Sequence, residues 1–191
     1  MQIPNEKKIF SYADYLTWPE NERCEIIDGI AYMQAAPSPL HQEISGALFA
    51  QFYNYLLGKP CKVYHSPFCV RLTEGTEETN SDIRKVVEPD ITIVCDKSKI
   101  DEKGCNGTPD MIIEVTSPSS IKIDRVLKFN KYEKAGVREY WIVEPEGKLV
   151  SVFVLQDNMR YGRPEIYTED DNIRVSIFPD LEIDLSIVFQ S

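Results

Sequence analysis

The sequence lacks any long apolar run. None of its hydrophobic stretches approaches the roughly 18 consecutive apolar residues that a membrane-spanning helix needs. The opening MQIPNEKKIF also lacks the apolar core of a secretory signal. These absences predict a cytoplasmic protein with no membrane partner.

Cysteine is scarce and irregularly spaced. The five cysteines, Cys24, Cys61, Cys69, Cys95 and Cys105, are odd in number and contain no C-x-x-C pair. This spacing gives no indication of a disulfide framework or a zinc ribbon. Most of the cysteines are therefore predicted to be reduced and structural.

Positive charge is also in short supply. The chain of 191 residues has 31 acidic and 21 basic residues, a net charge of −10. A protein that coats nucleic acid without specificity normally has a broad basic surface, so that class is disfavoured. A nuclease is still allowed, because a metal ion and a local basic helix can supply positive charge at the phosphate. The length and a hydrophobic fraction of 42% predict a single globular domain over residues 1–191.

Sequence patterns in the first half of the chain predict a short helix, a hairpin and a long helix. The short helix begins near Ser11 and ends before Pro19. The hairpin turns at Asp28-Gly29, a dipeptide that tolerates positive φ. Apolar residues recur every fourth position from Ser38 to Leu57, as on one face of a helix. CKVYHSPFCVRL is predicted to be extended, and Thr73 to Lys85 to be a polar loop.

The second half predicts a strand, helix and strand order. DITIVC and DMIIEV are short, β-branched and bounded by polar loops, as is typical of interior strands. A helix from Pro118 to Ala135 ends at Gly136, and EYWIVE follows as a strand in a right-handed parallel crossover. KLVSVFVL is expected to form a hairpin with EYWIVE. The predicted fold class is α/β, with one mixed central sheet flanked by helices.

Two carboxylates lie on the predicted interior strands. Asp90 opens DITIVC, and Glu114 lies inside DMIIEV after three apolar residues. A buried carboxylate calls for a cation or for hydrogen-bond donors, and Mg²⁺ typically takes one or two protein carboxylates. The pair therefore suggests a metal site, although either residue could simply be a solvated strand end.

The segment after Glu114 contains serines and then a charged helix. The serines stand where a helix begins, and the N–H groups there favour an anion such as phosphate. Asp124 and Lys128 are four residues apart, with Lys131 and Tyr132 one turn further along. Lys128 is either half of an exposed ion pair or a charge that orients water and neutralises the attacked phosphate. The spacing alone leaves both interpretations open.

Several of these motifs, taken together, resemble a known family. VVEPDITIV, DMIIEVTSPSS, D-x-x-x-K-x-x-x-Y and AGVREYWIVEP occur in that order, and with CEIIDG they cover nearly the whole chain. In this combination the sequence resembles the Uma-two family of endonucleases, within the PD-(D/E)XK nuclease superfamily. The resemblance implies a restriction-endonuclease-like fold and a metal-dependent endonuclease.

The resemblance also implies roles for particular residues. Asp90 and Glu114 would hold Mg²⁺ or Mn²⁺, with the backbone carbonyl of Val115 as a third ligand. The superfamily's lysine is expected two residues after the glutamate, where this chain has Thr116. Lys128 is then the natural replacement, which makes the predicted catalytic set Asp90, Glu114 and Lys128.

Further positions match the family as accessory candidates. A carboxylate from CEIIDG could complete the metal shell, and His41 could contact phosphate or act as a base. The plainer interpretations are that Asp28 serves only the turn and that His41 caps a helix. The accessory candidates are Glu25, Asp28, His41, Asp124, Lys131 and Tyr132.

Three functions compete at this point. The first is a metal-dependent endonuclease acting on nucleic acid, with DNA favoured over RNA. The second is a nucleic-acid-binding or interaction module on the same fold that has lost catalysis, which Thr116 slightly favours. The third is an unrelated acidic interaction protein, which the net charge of −10 favours. A homodimer is also predicted, because the strands between Lys148 and Phe189 offer more apolar surface than two helices can cover.

Overall fold

The computed structural model describes residues 8–19, 22–73, 79–118 and 120–190. Its helical segments are α1 (Tyr12–Tyr15), α2 (Pro39–Leu56), a 3₁₀ turn (Lys97–Lys99), a π-helix (Ile123–Lys128) that continues as α3 (Phe129–Ala135), and α4 (Leu185–Val188).

Fourteen short strands make up the described sheets. They are β1 (Cys24–Ile27), β2 (Ile30–Met33), β3 (Lys62–His65), β4 (Val70–Arg71), β5 (Val86–Val87), β6 (Ile91–Val94), β7 (Ile100–Asp101), β8 (Gly104–Asn106), β9 (Met111–Val115), β10 (Glu139–Glu144), β11 (Leu149–Val154), β12 (Glu165–Thr168), β13 (Asn172–Arg174) and β14 (Glu182–Asp184).

The main sheet has six strands in the order β12-β11-β10-β9-β6-β3. Strands β9 and β10 are parallel and are joined by the π-helix and α3, whereas β10 and β11 form an antiparallel hairpin. The predicted strand, helix and strand unit and the predicted hairpin are therefore present. DITIVC and DMIIEV lie within this sheet as adjacent antiparallel strands.

The α/β fold class is confirmed, but the strands are divided between sheets. A second six-stranded sheet has the order β2-β1-β5-β4-β8-β7, and β13 pairs only with β14. The sequence predicted one sheet and not two. Three strands of the second sheet, β4, β5 and β7, are only two residues long, which is too short for an alternating pattern to reveal them. We call the second six-stranded sheet the small sheet.

The main sheet is covered on both faces. One face packs against α2 and the C-terminal elements through residues such as Phe52, Trp141 and Leu185. The other face packs against the small sheet and the crossover helix through residues such as Ile112 and Tyr140. Continuous packing of this kind is what a single domain requires. The domain over residues 1–191 stays a prediction, since residues 1–7 and 191 lie outside the described part.

Local sequence explains the hairpin and the long helix. Asp28 and Gly29 have φ of +52° and +78°, so the turn between β1 and β2 uses the residues that tolerate such values. Helix α2 begins where the Ser38 hydroxyl accepts the backbone N–H of His41, with Pro39 as its first residue. Both elements were predicted at these positions.

One cysteine pair departs from the sequence interpretation. Cys61 and Cys95 form a disulfide, and Cys24, Cys69 and Cys105 are free. Strands β3 and β6 pair with Lys62 opposite Val94, so the residues just outside that pair face one another. Strand register creates this bond, and register does not appear in cysteine spacing.

The structure bears only partly on three further predictions, which concern the polar loop, a membrane span and the homodimer. In the predicted loop from Thr73 to Lys85, residues 74–78 lie outside the described part. No helix among the described residues is long and apolar enough to cross a membrane. Much of the apolar surface after Lys148 is covered within the chain, where Ile173, Ile183 and Phe189 are buried. The homodimer stays a prediction.

Candidate active site

Strand register brings Asp90 and Glu114 to the same end of the main sheet. Ile91 of β6 lies opposite Ile113 of β9, and continuing this register by one residue sets Asp90 opposite Glu114. Opposite residues of an antiparallel pair project from the same face of a sheet. An Asp90 carboxylate oxygen also accepts the backbone N–H of Val115 at 2.8 Å. The two predicted carboxylates are therefore neighbours.

Glu114 is buried, and one of its carboxylate oxygens has two hydrogen-bond donors. Its Oε1 atom accepts hydrogen bonds from Lys128 Nζ at 2.9 Å and from the Tyr132 hydroxyl at 2.6 Å. A carboxylate taken out of water needs such partners, because its desolvation is otherwise very costly. The helix after β9 therefore supplies both donors to the strand that precedes it.

Lys128 lies at the centre of a buried carboxylate cluster. Its Nζ atom is 2.8 Å from Glu25, 2.9 Å from Glu114 and 3.5 Å from Asp124, and its side chain is only 4% exposed. Glu25 comes from β1 of the small sheet and also accepts the backbone N–H of Glu88 at 2.8 Å. The site is thus assembled from both sheets and the crossover helix.

The interpretation of Asp124 and Lys128 as an exposed ion pair is wrong. Both are buried, on the π-helix that precedes α3. There the backbone N–H of Phe129 donates to the carbonyl of Asp124, five residues back. This wider turn is rare in proteins as a whole, but where it occurs it is frequently found at a functional site. Asp124 and Lys128 nevertheless stay on one side of the segment, 3.5 Å apart, as their spacing of four residues predicted.

Charge and burial compete throughout the cluster. Burial raises the pKa of Glu114 well above its ordinary value, against the opposing effect of Lys128, and the nearby carboxylates of Asp124, Asp90 and Glu25 raise it further. Burial lowers the pKa of Lys128, but Glu114, Glu25 and Asp124 more than reverse this, so its pKa is raised. Lys128 is therefore a firmly protonated ammonium ion.

His41 contacts the outer carboxylate. Its Nε2 atom is 3.2 Å from Asp90 Oδ2, and it also hydrogen-bonds the backbone of Val115. Burial lowers the pKa of His41, but these hydrogen bonds and the Asp90 charge outweigh it and raise the pKa. His41 is therefore not the cap of α2, which is Ser38, and its ring instead holds the carboxylate of Asp90 in place.

These groups line a cleft of about 540 Å³. Its walls include Glu25, Asp90, Glu114, Asp124 and Lys128. The backbone of Val115, the serines that begin the crossover segment, Ser117 and Ser120, and His41 at the start of α2 line it as well. We call this space the main cleft. The predicted carboxylates and the predicted lysine therefore line the same cleft.

Thr116 occupies the superfamily's lysine position on the cleft wall. Its hydroxyl donates to the carbonyl of Val143 at 3.1 Å, so it serves the sheet. The Lys128 ammonium reaches Glu114 from the helix instead. A lysine is thus present beside the glutamate although it comes from a different backbone position.

Two accessory candidates lie elsewhere. Asp28, 54% exposed, pairs with Lys131 at 2.6 Å, and neither residue lines the main cleft. This pair joins the hairpin turn to α3. Tyr132 does not line the cleft either, but it contacts the site through Glu114.

Two further charged residues that were not predicted, Arg23 and Glu88, also line the main cleft. Arg23 Nη2 is 3.2 Å from Glu88 Oε2, and Glu88 also accepts the Tyr15 hydroxyl at 2.6 Å. An alternating pattern could have found them, because Arg23 precedes Glu25 by two residues and Glu88 precedes Asp90 by two. Residues two apart in extended chain project to the same side.

The donor set suits a hard divalent cation. Three carboxylates, those of Glu25, Glu114 and Asp124, surround the Lys128 ammonium ion, and the carboxylate of Asp90 lines the same cleft. Within the described ranges no three His, Cys, Asp or Glu side chains are already arranged around a common metal position. Mg²⁺ needs only one or two protein carboxylates, since waters and phosphate oxygens supply its remaining ligands. The residues therefore fit such an ion.

Comparison with known proteins agrees with this architecture. A family model, Uma2, with the description "Putative restriction endonuclease", matches residues 12–186. An uncharacterised protein of Synechocystis sp. is 26% identical over 148 residues, which are 76% of this chain and 74% of that protein. A crystal structure of a "putative nuclease belonging to DUF820" from Anabaena variabilis superposes with a TM-score of 0.73 at 20% identity, covering 95% of this chain and 98% of the other. That structure supports the restriction-endonuclease-like fold, and the match over residues 12–186 shows that this chain belongs to the Uma2 family.

Proposed function

We propose that this chain is a metal-dependent endonuclease that hydrolyses phosphodiester bonds of nucleic acid, with DNA favoured over RNA. The observation that carries the proposal is the buried lysine. Lys128 is held among Glu25, Glu114 and Asp124 on the wall of the main cleft, beside Asp90. Burying this many charges is expensive and is rarely justified by stability alone.

Asp90 and Glu114, together with the Val115 carbonyl, would hold Mg²⁺ or Mn²⁺. A divalent ion at this position supplies a Lewis acid for the phosphate oxygens and lowers the pKa of a bound water. The His41 hydrogen bond holds Asp90 in its orientation at the sheet end. The Tyr132 hydroxyl does the same for Glu114.

Lys128 would then act on the reacting groups. Its ammonium ion faces the main cleft and can orient the attacking water or balance charge that builds on the phosphate. In hydrolysis the water oxygen bonds to phosphorus, the opposite phosphorus–oxygen ester bond breaks, and the departing oxygen takes up a proton. Because Lys128 is already held in place, it does not have to move when this charge develops.

One observation favours the catalytically inactive module as a second candidate. Thr116 stands where the superfamily's lysine is expected and bonds the backbone of Val143. If Lys128 serves only to neutralise the carboxylates, the chain would bind nucleic acid without cutting it. Binding in the absence of metal-dependent cleavage separates this candidate from the nuclease.

The test is a cleavage screen over single- and double-stranded DNA and RNA with Mg²⁺ or Mn²⁺. We expect cleavage of at least one substrate class, and we expect both EDTA and Asp90→Asn to abolish it. Asp180→Asn, at an exposed position away from the main cleft, is the matched control. Mn²⁺ should also raise the melting temperature of the unaltered protein but not that of Asp90→Asn. Cleavage that survives both EDTA and Asp90→Asn would contradict the proposal.

A further inference from the structure

A second cavity adjoins the main cleft. It has a volume of about 200 Å³ and shares a wall with the main cleft at Arg23, Pro37, His41 and Asp90. A chain-like substrate that places one phosphate beside Asp90 can therefore continue directly into the second cavity. Nothing in the proposed hydrolysis uses this space.

The lining of the second cavity suits part of a nucleotide. Phe49 and His65 form an edge-to-face aromatic pair at 4.9 Å on its wall. Gln42 and Ser45, on the exposed side of α2, supply hydrogen-bonding groups. Among the described lining residues Asp90 is the one acid. Aromatic faces and short polar groups are what proteins use to hold a base and its sugar.

Arg23 stands where the two cavities meet. Its Nε and Nη2 atoms lie 3.3 Å and 3.2 Å from Glu88 Oε2, and Nη2 also bonds Ser66. These contacts fix the plane of the guanidinium group, and within the described chain Nη1 has no hydrogen bond. Arginine presents a rigid set of donors that matches a phosphate group.

The charge balance of the main cleft directs a phosphate to Arg23. Arg23 and Lys128 are the Lys or Arg side chains among its described lining residues. Lys128 is already shared by three carboxylates and is 4% exposed, whereas the Arg23 side chain is 32% exposed. In a chain with a net charge of −10, Arg23 is therefore the accessible cation near the proposed scissile bond.

We propose that Arg23 and the second cavity form a subsite for the nucleotide next to the scissile phosphodiester. Arg23 binds the phosphate of that nucleotide, and the second cavity takes its sugar and base. The inference rests on the proposed function for its substrate class. It adds a residue that positions the substrate, and it gives the direction in which the bound strand continues from the reaction centre.

Gly46 offers a way to close the subsite without touching Arg23. It lies on α2, lines the second cavity, and has open space within 4 Å of where a Cβ would stand. Gly46→Leu should fill the cavity while leaving the fold intact. Ala50→Leu adds the same side chain one turn later on an exposed stretch of α2 that lines neither cavity, so it is the matched control.

The measurement is binding of fluorescent oligonucleotides in EDTA, so that turnover does not interfere. For the substrate class that the unaltered protein binds, Gly46→Leu should raise Kd by roughly tenfold, as expected when a base loses its aromatic contact. Ala50→Leu should leave Kd unchanged. Equal affinity in the two leucine variants would overturn the second cavity as a subsite.

Arg23→Gln tests the phosphate contact. Each phosphate contact contributes about 0.7 to 0.9 to the slope of log Kd against log salt, so the slope should fall by that amount in Arg23→Gln. Arg163→Gln removes one positive charge from an exposed position outside both cavities and should retain the full slope. Equal slopes in the two variants would overturn the role of Arg23. If Arg23→Gln does not fold, Arg23→Lys replaces it. This variant retains the charge and so the salt slope, but it lacks the planar donors, so its Kd should be higher than that of the unaltered protein.

The outcomes distinguish the subsite from the proposed function. Metal-dependent cleavage with normal binding by Gly46→Leu and Arg23→Gln would overturn the subsite and leave the nuclease standing. Binding that these variants weaken, without any cleavage, would support the subsite and contradict the nuclease. Failure of the unaltered protein to bind any oligonucleotide would overturn both.

Discussion

Lys128 and Lys131 differ in environment although they lie three residues apart on one continuous helical segment. Lys128 is buried among three carboxylates on the wall of the main cleft. Lys131 pairs with a single carboxylate, that of Asp28, which is 54% exposed at a hairpin turn. In the sequence Lys128 has an acid four residues before it and Lys131 does not, but such spacing is equally typical of a surface ion pair. The comparison teaches that burial, and not the presence of an acid partner, separates a candidate catalytic lysine from a surface ion pair.

The largest effect is expected from Lys128→Met. Removing the one cation of a buried cluster leaves carboxylates without compensation and should destabilise the fold by about 3–5 kcal/mol. Loss of a preorganised charge should also lower metal-dependent cleavage by roughly a hundredfold or more. Urea denaturation and initial cleavage rates measure the two effects, with Lys131→Met as the control. An exposed ion pair, the other interpretation that the sequence left open, would lose under about 1 kcal/mol on the same change.

Glu139→Gln should be next in size, and it tests whether any buried acid matters to catalysis. Glu139 is fully buried and accepts hydrogen bonds from the Trp141 indole at 2.8 Å and from the backbone of Ile177 at 3.0 Å. An amide cannot accept with both of its terminal atoms, so the change should cost about 1–3 kcal/mol. Cleavage at a temperature where the variant is folded should be unchanged. A hundredfold loss of the cleavage rate would show that a buried acid outside the Lys128 cluster also matters to catalysis.

Glu139 also predicts a dependence of stability on pH. Burial raises the pKa of Glu139, although hydrogen bonds from Trp141, Ile177 and Ser176 oppose the shift. A carboxyl group whose folded pKa is raised contributes stability below its unfolded pKa and loses it as the pH rises through the folded value. Glu139→Gln should therefore flatten the fall in unfolding free energy above the ordinary glutamate pKa. A curve parallel to that of the unaltered protein would contradict this.

Tyr132→Phe should have a smaller effect. The hydroxyl donates to Glu114 at 2.6 Å, and Lys128 continues to bond the same oxygen after the hydroxyl is removed. We expect a loss of about 1 kcal/mol in unfolding free energy. The cleavage rate should fall less than in Lys128→Met, because the charge remains. Tyr161→Phe, which removes a partly buried hydroxyl bonded to the Val137 carbonyl, is the control for the loss of a tyrosine hydroxyl away from Glu114.

The smallest effect is expected from Lys131→Met. An ion pair with a half-exposed partner is worth under about 1 kcal/mol, and it weakens as salt screens the charges. The variant should retain full cleavage activity. Comparing its melting temperature with that of the unaltered protein in low and high salt measures the pair directly, and a loss of activity would place Lys131 nearer the reaction than the structure does.

Patterns within short segments predicted the local structure well. The positive φ of Asp28 and Gly29, the cap at Ser38 and the strand that contains Glu114 depend mainly on neighbouring residues. The association of Asp90 with Glu114 followed from placing two adjacent strands in one sheet. For these features the hydrophobic pattern and the turn residues agree with the final fold.

Features that depend on register or on an irregular backbone were not predicted. The π-helix that contains Lys128 was predicted only as part of an ordinary helix, and the burial of that lysine was not predicted. The Cys61–Cys95 disulfide and the position of Glu25 beside Lys128 follow from how strands pair and sheets pack. Arg23 was not predicted, because it lies outside the motifs that carry the family resemblance. Its alternation with Glu25 was visible in the sequence.

The contact between Glu25 and Lys128 makes the chemistry depend on how the two sheets are held together. Glu25 belongs to β1 of the small sheet, whereas Glu114 belongs to β9 of the main sheet, so their shared ammonium ion is correctly surrounded only after the two sheets have docked. A chain in which the main sheet alone has formed lacks one wall of the main cleft. On the proposed function, cleavage needs both sheets in contact, and a change that loosens their packing far from the main cleft would silence the enzyme.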